Sequence, residues 1–125
     1  MLKDNDAVAT VAVKDLDAAG KFYRETLGLE QVTAQDGEAI TLRSGKTTIN
    51  IYRSKYAGTN RATALSWTVG RDLDTVVRHL KAKGVVFERY DMPGAQHRGD
   101  VHVFGALETA WFKDPDGNIL SIMNG

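Results

Sequence analysis

The tripeptide Asp15-Leu16-Asp17 returns later in the chain as Asp72-Leu73-Asp74, and the pattern around it returns as well. Each copy follows a run typical of a β-strand and precedes a run typical of a helix, which ends near Gly28 in one copy and Gly84 in the other. Such a repeat is typical of two copies of one supersecondary unit packed together. It predicts two similar modules in a chain of 125 residues.

Hydrophobic periodicity predicts the same order of elements in each half: a strand, a helix and three more strands. The first helix covers residues 18–27, with Asp17 as its N-cap and Gly28 as its C-cap. The second helix covers residues 75–83. The predicted strands cover residues 7–13, 29–34, 39–43, 47–52, 64–69, 85–90, 108–112 and 118–123. Together these elements predict an α+β fold.

Turn sequences separate neighbouring strands at Asp36-Gly37, at Ser44-Gly45 and at residues 114–117, which read Asp-Pro-Asp-Gly. Residues 92–105 break the symmetry, because they join two strands with more residues than a hairpin needs. This irregular connection holds His97 and His102. It is either a functional lid or a solvated surface loop.

The composition argues against several kinds of function. The 16 basic residues match the 16 acidic ones and form no basic tract, so we expect no nucleic-acid partner. The absence of cysteine excludes disulfides, thiolate metal sites and a thiol nucleophile. Residues 1–6 are polar and no long apolar run follows, so we expect no signal peptide, no membrane partner and a cytoplasmic location.

Two segments carry a family resemblance. Residues 13–17 (Val-Lys-Asp-Leu-Asp), followed by Phe22-Tyr23 and Leu27-Gly28-Leu29, form the first, and residues 111–118 (Trp-Phe-Lys-Asp-Pro-Asp-Gly-Asn) form the second. The chain resembles the vicinal oxygen chelate superfamily, which includes glyoxalase I, bleomycin resistance proteins, fosfomycin resistance enzymes and extradiol dioxygenases. The resemblance implies one domain over residues 1–125, with two tandem βαβββ modules whose mixed sheets curl around a cleft. The modules are about residues 6–53 and 63–125, residues 54–62 are a linker, and a homodimer is implied.

The resemblance also implies where a metal ion would be bound, at four equivalent strand positions that hold His, Glu or Gln in metal-using members. Here those positions are Val8, Asn50, Leu65 and Ser121. Valine and leucine cannot ligate a metal, and serine and asparagine are weak neutral ligands. We therefore expect no metal and no cofactor in this cleft.

Strand alternation then predicts which side chains line the cleft. If Asn50 faces the cleft, residues 48 and 52 face it as well. In the same way, Leu65 predicts that Trp67 and Val69 face the cleft, and Ser121 predicts that Ile119 and Met123 do. The resemblance adds Trp111, and alternation adds Thr109. The predicted ligand-binding residues are Thr48, Asn50, Tyr52, Trp67, Thr109, Trp111, Ser121 and Met123. Such a wall suits a small aromatic or apolar molecule held by stacking and a few polar contacts. Alternatively, the two tryptophans are core residues.

Three functions remain open from the sequence. The first is a metal-free binder of the bleomycin-resistance type that sequesters an antibiotic or an aromatic metabolite; the neutral chain favours a neutral or mildly anionic ligand. The second is a metal-independent lyase or isomerase with His97 or His102 as general base and Tyr52, Asn50 or Arg43 steadying an oxyanion. The third is a dimerising module without a ligand. The two histidines also offer an off-centre metal site together with Asp91, Asp100 or Glu108.

Overall fold

A computed structural model describes residues 2–35 and 38–125 of the chain. These residues form two compact units that divide between Thr59 and Asn60, close to the predicted linker. Within the described ranges, no helix has the length and apolar character needed to cross a membrane. The order of elements gives an α+β fold with one βαβββ arrangement in each unit, as predicted. That the two form a single domain stays a prediction.

The first unit consists of four strands and one helix: β1 (Ala9–Val13), α1 (Leu16–Lys21), β2 (Glu30–Gln35), β3 (Ala39–Ser44) and β4 (Thr47–Arg53). A short 3-10 turn at Leu2–Asp4 precedes them. The strands lie in the order β1-β4-β3-β2. β1 is parallel to β4, and β3 is antiparallel to both of its neighbours. The helix α1 continues directly into a π-helical turn at Phe22–Thr26.

The first helix begins at Leu16 with Asp15 as its N-cap, so the prediction that Asp17 caps it is wrong. The Asp15 carboxylate accepts hydrogen bonds from the backbone N–H groups of Asp17 and Ala18, at 2.9 and 3.2 Å. Its extended backbone is the conformation that an N-cap adopts. The helical segment ends at Thr26 with Leu27 as its C-cap, one residue before the predicted cap. Gly28 follows with a φ of 80°, the left-handed conformation that often comes directly after a helix.

The two faces of β4 differ in burial. Ile49 and Ile51 are buried, whereas Tyr52 is exposed. The parallel register pairs Ile51 with Val11 of β1, which is also buried, so these residues share the core face. The other face carries Thr48, Asn50 and Tyr52, in agreement with the predicted alternation.

The second unit consists of six strands and one helix: β5 (Thr63–Thr68), α2 (Leu73–Ala82), β6 (Phe87–Glu88), β7 (Gln96–Arg98), β8 (Val101–Phe104), β9 (Leu107–Lys113) and β10 (Ile119–Met123). The strands form one sheet in the order β5-β10-β9-β8-β7, and β6 also pairs with β9. β10 pairs with one edge of β9, whereas β6 and β8 both pair with its other edge, at different residues. A 3-10 turn at Gly70–Asp72 separates β5 from α2.

Residues 92–105 are not the irregular connection that the sequence predicts, because they contain the β7–β8 hairpin. Two ion pairs attach this hairpin to α2: Arg98 lies 3.2 Å from Asp74, and Lys81 lies 2.7 Å from Asp100. Strands this short carry too few alternating residues to be recognised locally. They exist because β8 forms its ladder with β9.

The predicted turns have different outcomes. Asp36-Gly37 lies outside the described residues. Gly45 has a φ of 59°, as a tight turn after Ser44 requires. At residues 114–117, Gly117 has a φ of 90°, and its N–H donates to the Asp114 carbonyl at 3.0 Å. The turn between β9 and β10 is therefore formed as predicted.

Candidate functional site

The strand register places three polar or aromatic side chains side by side on one face of the second sheet. Ser121 of β10 is the partner of Trp111 on β9 and of Ser66 on β5. The hydroxyl oxygens of Ser66 and Ser121 lie 2.7 Å apart, within hydrogen-bond distance, which confirms that they share a face. We call this the open face, because α2 lies on the other one. Arg98, whose ion pair reaches Asp74 of α2, belongs to that other face.

Leu65 and Trp67 lie on the helix-covered face, so the prediction that places them beside Ser121 is wrong. They pair with Leu120 and Ile122, which are both buried. Counting from the repeated tripeptide misplaces the strand by one residue because the 3-10 turn at Gly70–Asp72 lies between β5 and α2. Since strand faces alternate, a shift of one residue exchanges them. Ser66 takes the position expected for Leu65.

A pocket of about 390 Å³ opens on the second unit, which is within the usual range for a small-molecule site. Trp111 is the one predicted ligand-binding residue among those that line it. Ile119, expected on this face by alternation, lines it as well. The complete lining is Arg61, Ala62, Thr63, Tyr90, Met92, Trp111 and Ile119. Sequence reasoning missed the contributions of residues 61–63, 90 and 92 because they come from a connection and from strand ends, where periodicity carries no signal.

The Trp111 indole is held in place by polar and aromatic contacts. Its Nε1–H donates to the Thr63 hydroxyl at 3.1 Å. The Tyr90 ring meets it nearly edge to face, with centroids 5.4 Å apart and planes at 68°. The His102 ring also meets the indole edge to face, with centroids 4.8 Å apart and planes at 80°. Edge-to-face geometry is the arrangement that aromatic quadrupoles favour, so the pocket has a preformed aromatic wall.

His97 and His102 are direct partners across β7 and β8, and both contact the backbone of Tyr90. His102 has no exposed surface, and its Nε2 accepts a hydrogen bond from the Tyr90 N–H at 2.9 Å. His97 Nε2 lies 3.2 Å from the Tyr90 carbonyl oxygen, which can only accept, so His97 is the donor. His102 therefore has no free lone pair with which to remove a proton from a ligand in this arrangement.

The electrostatics of the site keep its wall neutral. Burial, followed by repulsion from His97, lowers the pKa of His102 below its ordinary value. Burial, followed by the charge of Glu88, raises the pKa of the Tyr90 phenol. Glu88 itself pairs with Lys113 at 3.2 Å. Arg61 is then the charged side chain among the residues that line the pocket.

The four positions that the resemblance gives to metal ligands do not fit a metal ion. Asn50 Oδ1 accepts a hydrogen bond from the Thr41 hydroxyl at 2.8 Å, and the hydroxyls of Ser66 and Ser121 bond to each other. Val8 and Leu65 offer no donor atom. No carboxylate or imidazole stands at any of these positions, so the donor set lacks the groups that divalent metals prefer.

The off-centre metal site suggested by the loop histidines is not formed among the residues that the structure describes, where no three His, Asp or Glu side chains group together. Asp100 is paired with Lys81. Glu108 accepts a hydrogen bond from Arg98 at 2.8 Å, which lowers its pKa. By register, Glu108 lies on the face opposite His102.

The first unit has a pocket of different character. It measures about 370 Å³, and it is lined by one serine, Ser54, and four charged residues: Lys14, Glu38, Arg53 and Lys55. Arg53 and Glu38 pair across it at 3.8 Å. The predicted ligand-binding residues of this unit, Thr48, Asn50 and Tyr52, are not among those that line it. An aromatic ligand thus has a matching surface in the second unit and not in this pocket.

Comparison with known proteins gives one matching family model and several solved structures of similar fold. The family model for the glyoxalase/bleomycin resistance protein/dioxygenase superfamily matches residues 7–122. A lactoylglutathione lyase from Agrobacterium tumefaciens is 17% identical, with a TM-score of 0.70 over 95% of this chain and 92% of that one. The fosfomycin resistance protein FosX from Listeria monocytogenes is 17% identical, with a TM-score of 0.73 over 97% and 93%.

An integron cassette protein from the mobile metagenome of the Halifax Harbour sewage outfall is 19% identical, with a TM-score of 0.70 over 95% and 97% of the two chains. At these identities the structural likeness shows a shared fold. Because the neighbours include a lyase and a resistance protein, the fold alone does not select an activity.

Proposed function

Because the chain belongs to the glyoxalase/bleomycin resistance protein/dioxygenase superfamily, we propose that it binds a small aromatic or apolar molecule in the pocket of the second unit, without a metal ion. The observation that carries this proposal is the preformed wall of Trp111 and Tyr90, completed by Met92 and Ile119. Such a wall offers stacking area at low entropic cost, because the rings are already fixed by their neighbours.

The charge at the pocket supports an anionic group on the ligand. Arg61 is one of its lining residues, and no acidic residue is part of the lining. Within residues 2–35 and 38–125, no ion pair to Arg61 is formed. A guanidinium can accept a carboxylate through two parallel hydrogen bonds. We therefore propose an aromatic carboxylate, or a similar aromatic anion, as the ligand class.

The lyase or isomerase alternative has less support. His102 uses its acceptor nitrogen on the Tyr90 amide, and His97 donates to the Tyr90 carbonyl. A general base needs a lone pair within reach of the ligand, and neither histidine is among the residues that line the pocket. Sequestration, as in the bleomycin resistance proteins that the sequence resembles, requires no such group and is the function that we propose.

The proposal is tested with 1-naphthoate as the aromatic carboxylate and 1-naphthamide as its neutral counterpart, by thermal shift and calorimetry with and without EDTA. A ligand that binds only the native state, at a concentration 100 times its Kd, raises the free energy of unfolding by about 2.7 kcal/mol. We expect naphthoate to bind more tightly than naphthamide, and EDTA to have no effect. Stabilisation by Mn²⁺, Ni²⁺ or Zn²⁺ that EDTA abolishes would contradict the metal-free site.

Matched variants locate the site. Trp111→Leu removes the pocket indole, and we expect it to weaken naphthoate binding by about tenfold or more, the value of one lost aromatic contact. Trp67→Leu, on the helix-covered face, is its control and should retain the affinity. Arg61→Gln should remove the preference for naphthoate over naphthamide, whereas Arg71→Gln should keep it. Equal losses in both tryptophan variants would place the ligand elsewhere.

A further inference from the structure

The two peptide groups that flank the Cα of Tyr90, in the pocket wall, are each held by a histidine. The Tyr90 N–H donates a hydrogen bond to His102 at 2.9 Å, and the Tyr90 carbonyl accepts one from His97 at 3.2 Å. The two imidazoles pack edge to face, with centroids 4.6 Å apart. His102 also packs on Trp111 at 4.8 Å. Both rings of the aromatic wall are thus in contact with the same buried histidine.

We propose that His97 and His102 are positioning residues that clamp Tyr90 into the wall of the pocket, and that this clamp holds only while His102 is neutral. The pocket is therefore a ligand site whose affinity depends on pH. The clamp is independent of the function proposed above, whereas its effect on a ligand rests on that function.

The chemistry follows from the tautomers that the contacts require. His102 accepts at Nε2, so its proton is on Nδ1. Protonation would add a second N–H that points at the Tyr90 N–H, and two donors cannot bond to each other. The Tyr90 peptide must then move away from His102. Because Tyr90 and Met92 line the pocket, this movement removes part of its wall.

The backbone groups of Tyr90 and Asp100 favour protonation of His102, but burial and the charges of His97 on β7 and Arg89 beside Tyr90 outweigh them. On β9, Thr109 and Trp111 are uncharged. The Nδ1 atom of His102 is buried without a hydrogen-bond partner. The Thr109 hydroxyl, on the residue paired with His102, is also buried without one.

Three carboxylates of the neighbouring strands and turn are paired with other cations: Asp100 with Lys81, Glu108 with Arg98, and Glu88 with Lys113. Asp91, next to Tyr90 in the chain, is exposed to solvent. A buried imidazolium without a counter-ion is costly, so the neutral form is favoured in the folded protein. Opening of the Tyr90 segment, which would hydrate His102, is the response that we expect on acidification.

The direction of the pH effect follows from the lowered pKa. The ordinary pKa of histidine is 6.5, and that of His102 is below it in the folded state. The unfolded chain therefore binds more protons between the two values. The contribution of His102 to stability is complete above the unfolded value and is lost as the pH falls through the folded one. Ligand affinity should fall at lower pH, as the pH drops below the folded-state pKa of His102, because only the neutral form has the intact wall.

The first test uses ¹⁵N NMR of the imidazoles, which needs no ligand. The chain has three histidines, so single His→Gln variants assign every signal. We expect His102 to be a neutral Nδ1–H tautomer that titrates below 6.5, the ordinary pKa of histidine, with Trp111 fluorescence changing at the same pH. Trp67→Phe leaves Trp111 as the reporting indole. A His102 protonated on Nε2, or a titration that leaves the fluorescence unchanged, would overturn the clamp.

The second test measures naphthoate affinity against pH. One unit below the His102 pKa, we expect about tenfold weaker binding, since only the neutral fraction is competent. His102→Gln keeps an acceptor for the Tyr90 N–H without titrating, so its affinity should vary less than about twofold over this range. His79→Gln, on α2, should behave as the parent protein. If His102→Gln does not fold, the NMR titrations of the parent protein and of His97→Gln decide whether the clamp exists.

The outcomes separate the two proposals. If naphthoate does not bind but His102 and Trp111 titrate together, the proposed function fails and the clamp stands. If naphthoate binds equally at all pH values, the clamp fails and the proposed function stands.

Discussion

Asp114 shows how one buried carboxylate organises a turn. It is 4% exposed, and one of its oxygens accepts hydrogen bonds from the backbone N–H groups of Asp116 and Asn118, both at 2.9 Å. The other oxygen accepts from the Asn118 side-chain amide at 2.8 Å. Donors around a carboxylate stabilise its charge, which is why an aspartate can be buried here.

We predict that Asp114→Ala destabilises the protein by about 3 kcal/mol, because it leaves two backbone N–H groups and one amide without their acceptor. Asp6→Ala, at an exposed aspartate before β1, is the control and should change stability by less than about 0.5 kcal/mol. Urea unfolding curves measure both. If Asp114→Ala lowers the free energy of unfolding as little as Asp6→Ala does, the Asp114 carboxylate does not hold the turn.

The two helices begin in different ways although their tripeptides are identical. Asp15 caps α1 through two backbone N–H groups. Asp72 makes no side-chain cap on α2, because it ends the 3-10 turn that starts at Gly70. Gly70 has a φ of 58°, the left-handed conformation that suits glycine. The same tripeptide therefore begins the two helices in different ways.

The repeated tripeptides provide a matched pair of variants. We predict that Asp15→Ala lowers the free energy of unfolding by about 1 kcal/mol, the usual cost of losing an N-cap. Asp72→Ala should lower it by less than about 0.3 kcal/mol, since no cap is lost. Chemical denaturation of the two variants side by side measures the difference. Equal costs would show that Asp72 caps α2 in solution.

At the scale of the molecule, both units use one topology, and the second adds the β7–β8 hairpin to it. Several large apolar side chains remain exposed in the chain, among them Val86 at 80% and Leu107 at 44%. Exposed apolar surface favours association. The family resemblance implies a homodimer, and this stays a prediction.

We predict that sedimentation equilibrium at micromolar concentration gives about twice the chain mass of 13.7 kDa, since burial of exposed apolar surface favours a second copy. Dilution should shift the distribution towards the single chain. A single-chain mass throughout this range would contradict the homodimer, and naphthoate binding measured on the same sample would then show whether the pocket needs a partner copy.

The fold was largely predictable from the sequence, and the site only in part. Alternation in β4 correctly assigned the two faces of Ile49 and Asn50, because one face of that strand is buried. The same reasoning failed at Leu65, where an inserted turn shifts the strand by one residue. Trp111 was found through a motif. Tyr90 and Arg61 were missed because they reach the pocket from irregular segments.

The sequence by itself determined the two βαβββ modules and the Asp-Pro-Asp-Gly turn, because these depend on local periodicity and turn chemistry. Only the tertiary structure decided which side chains share a face, that residues 96–98 and 101–104 are strands, and that two histidines hold one tyrosine. The shared face depends on the pairing of β5 with β10, which joins residues far apart in the chain, and the histidine contacts join β7 and β8 to Tyr90. Long-range pairing leaves no local pattern, so the site had to be read from the fold.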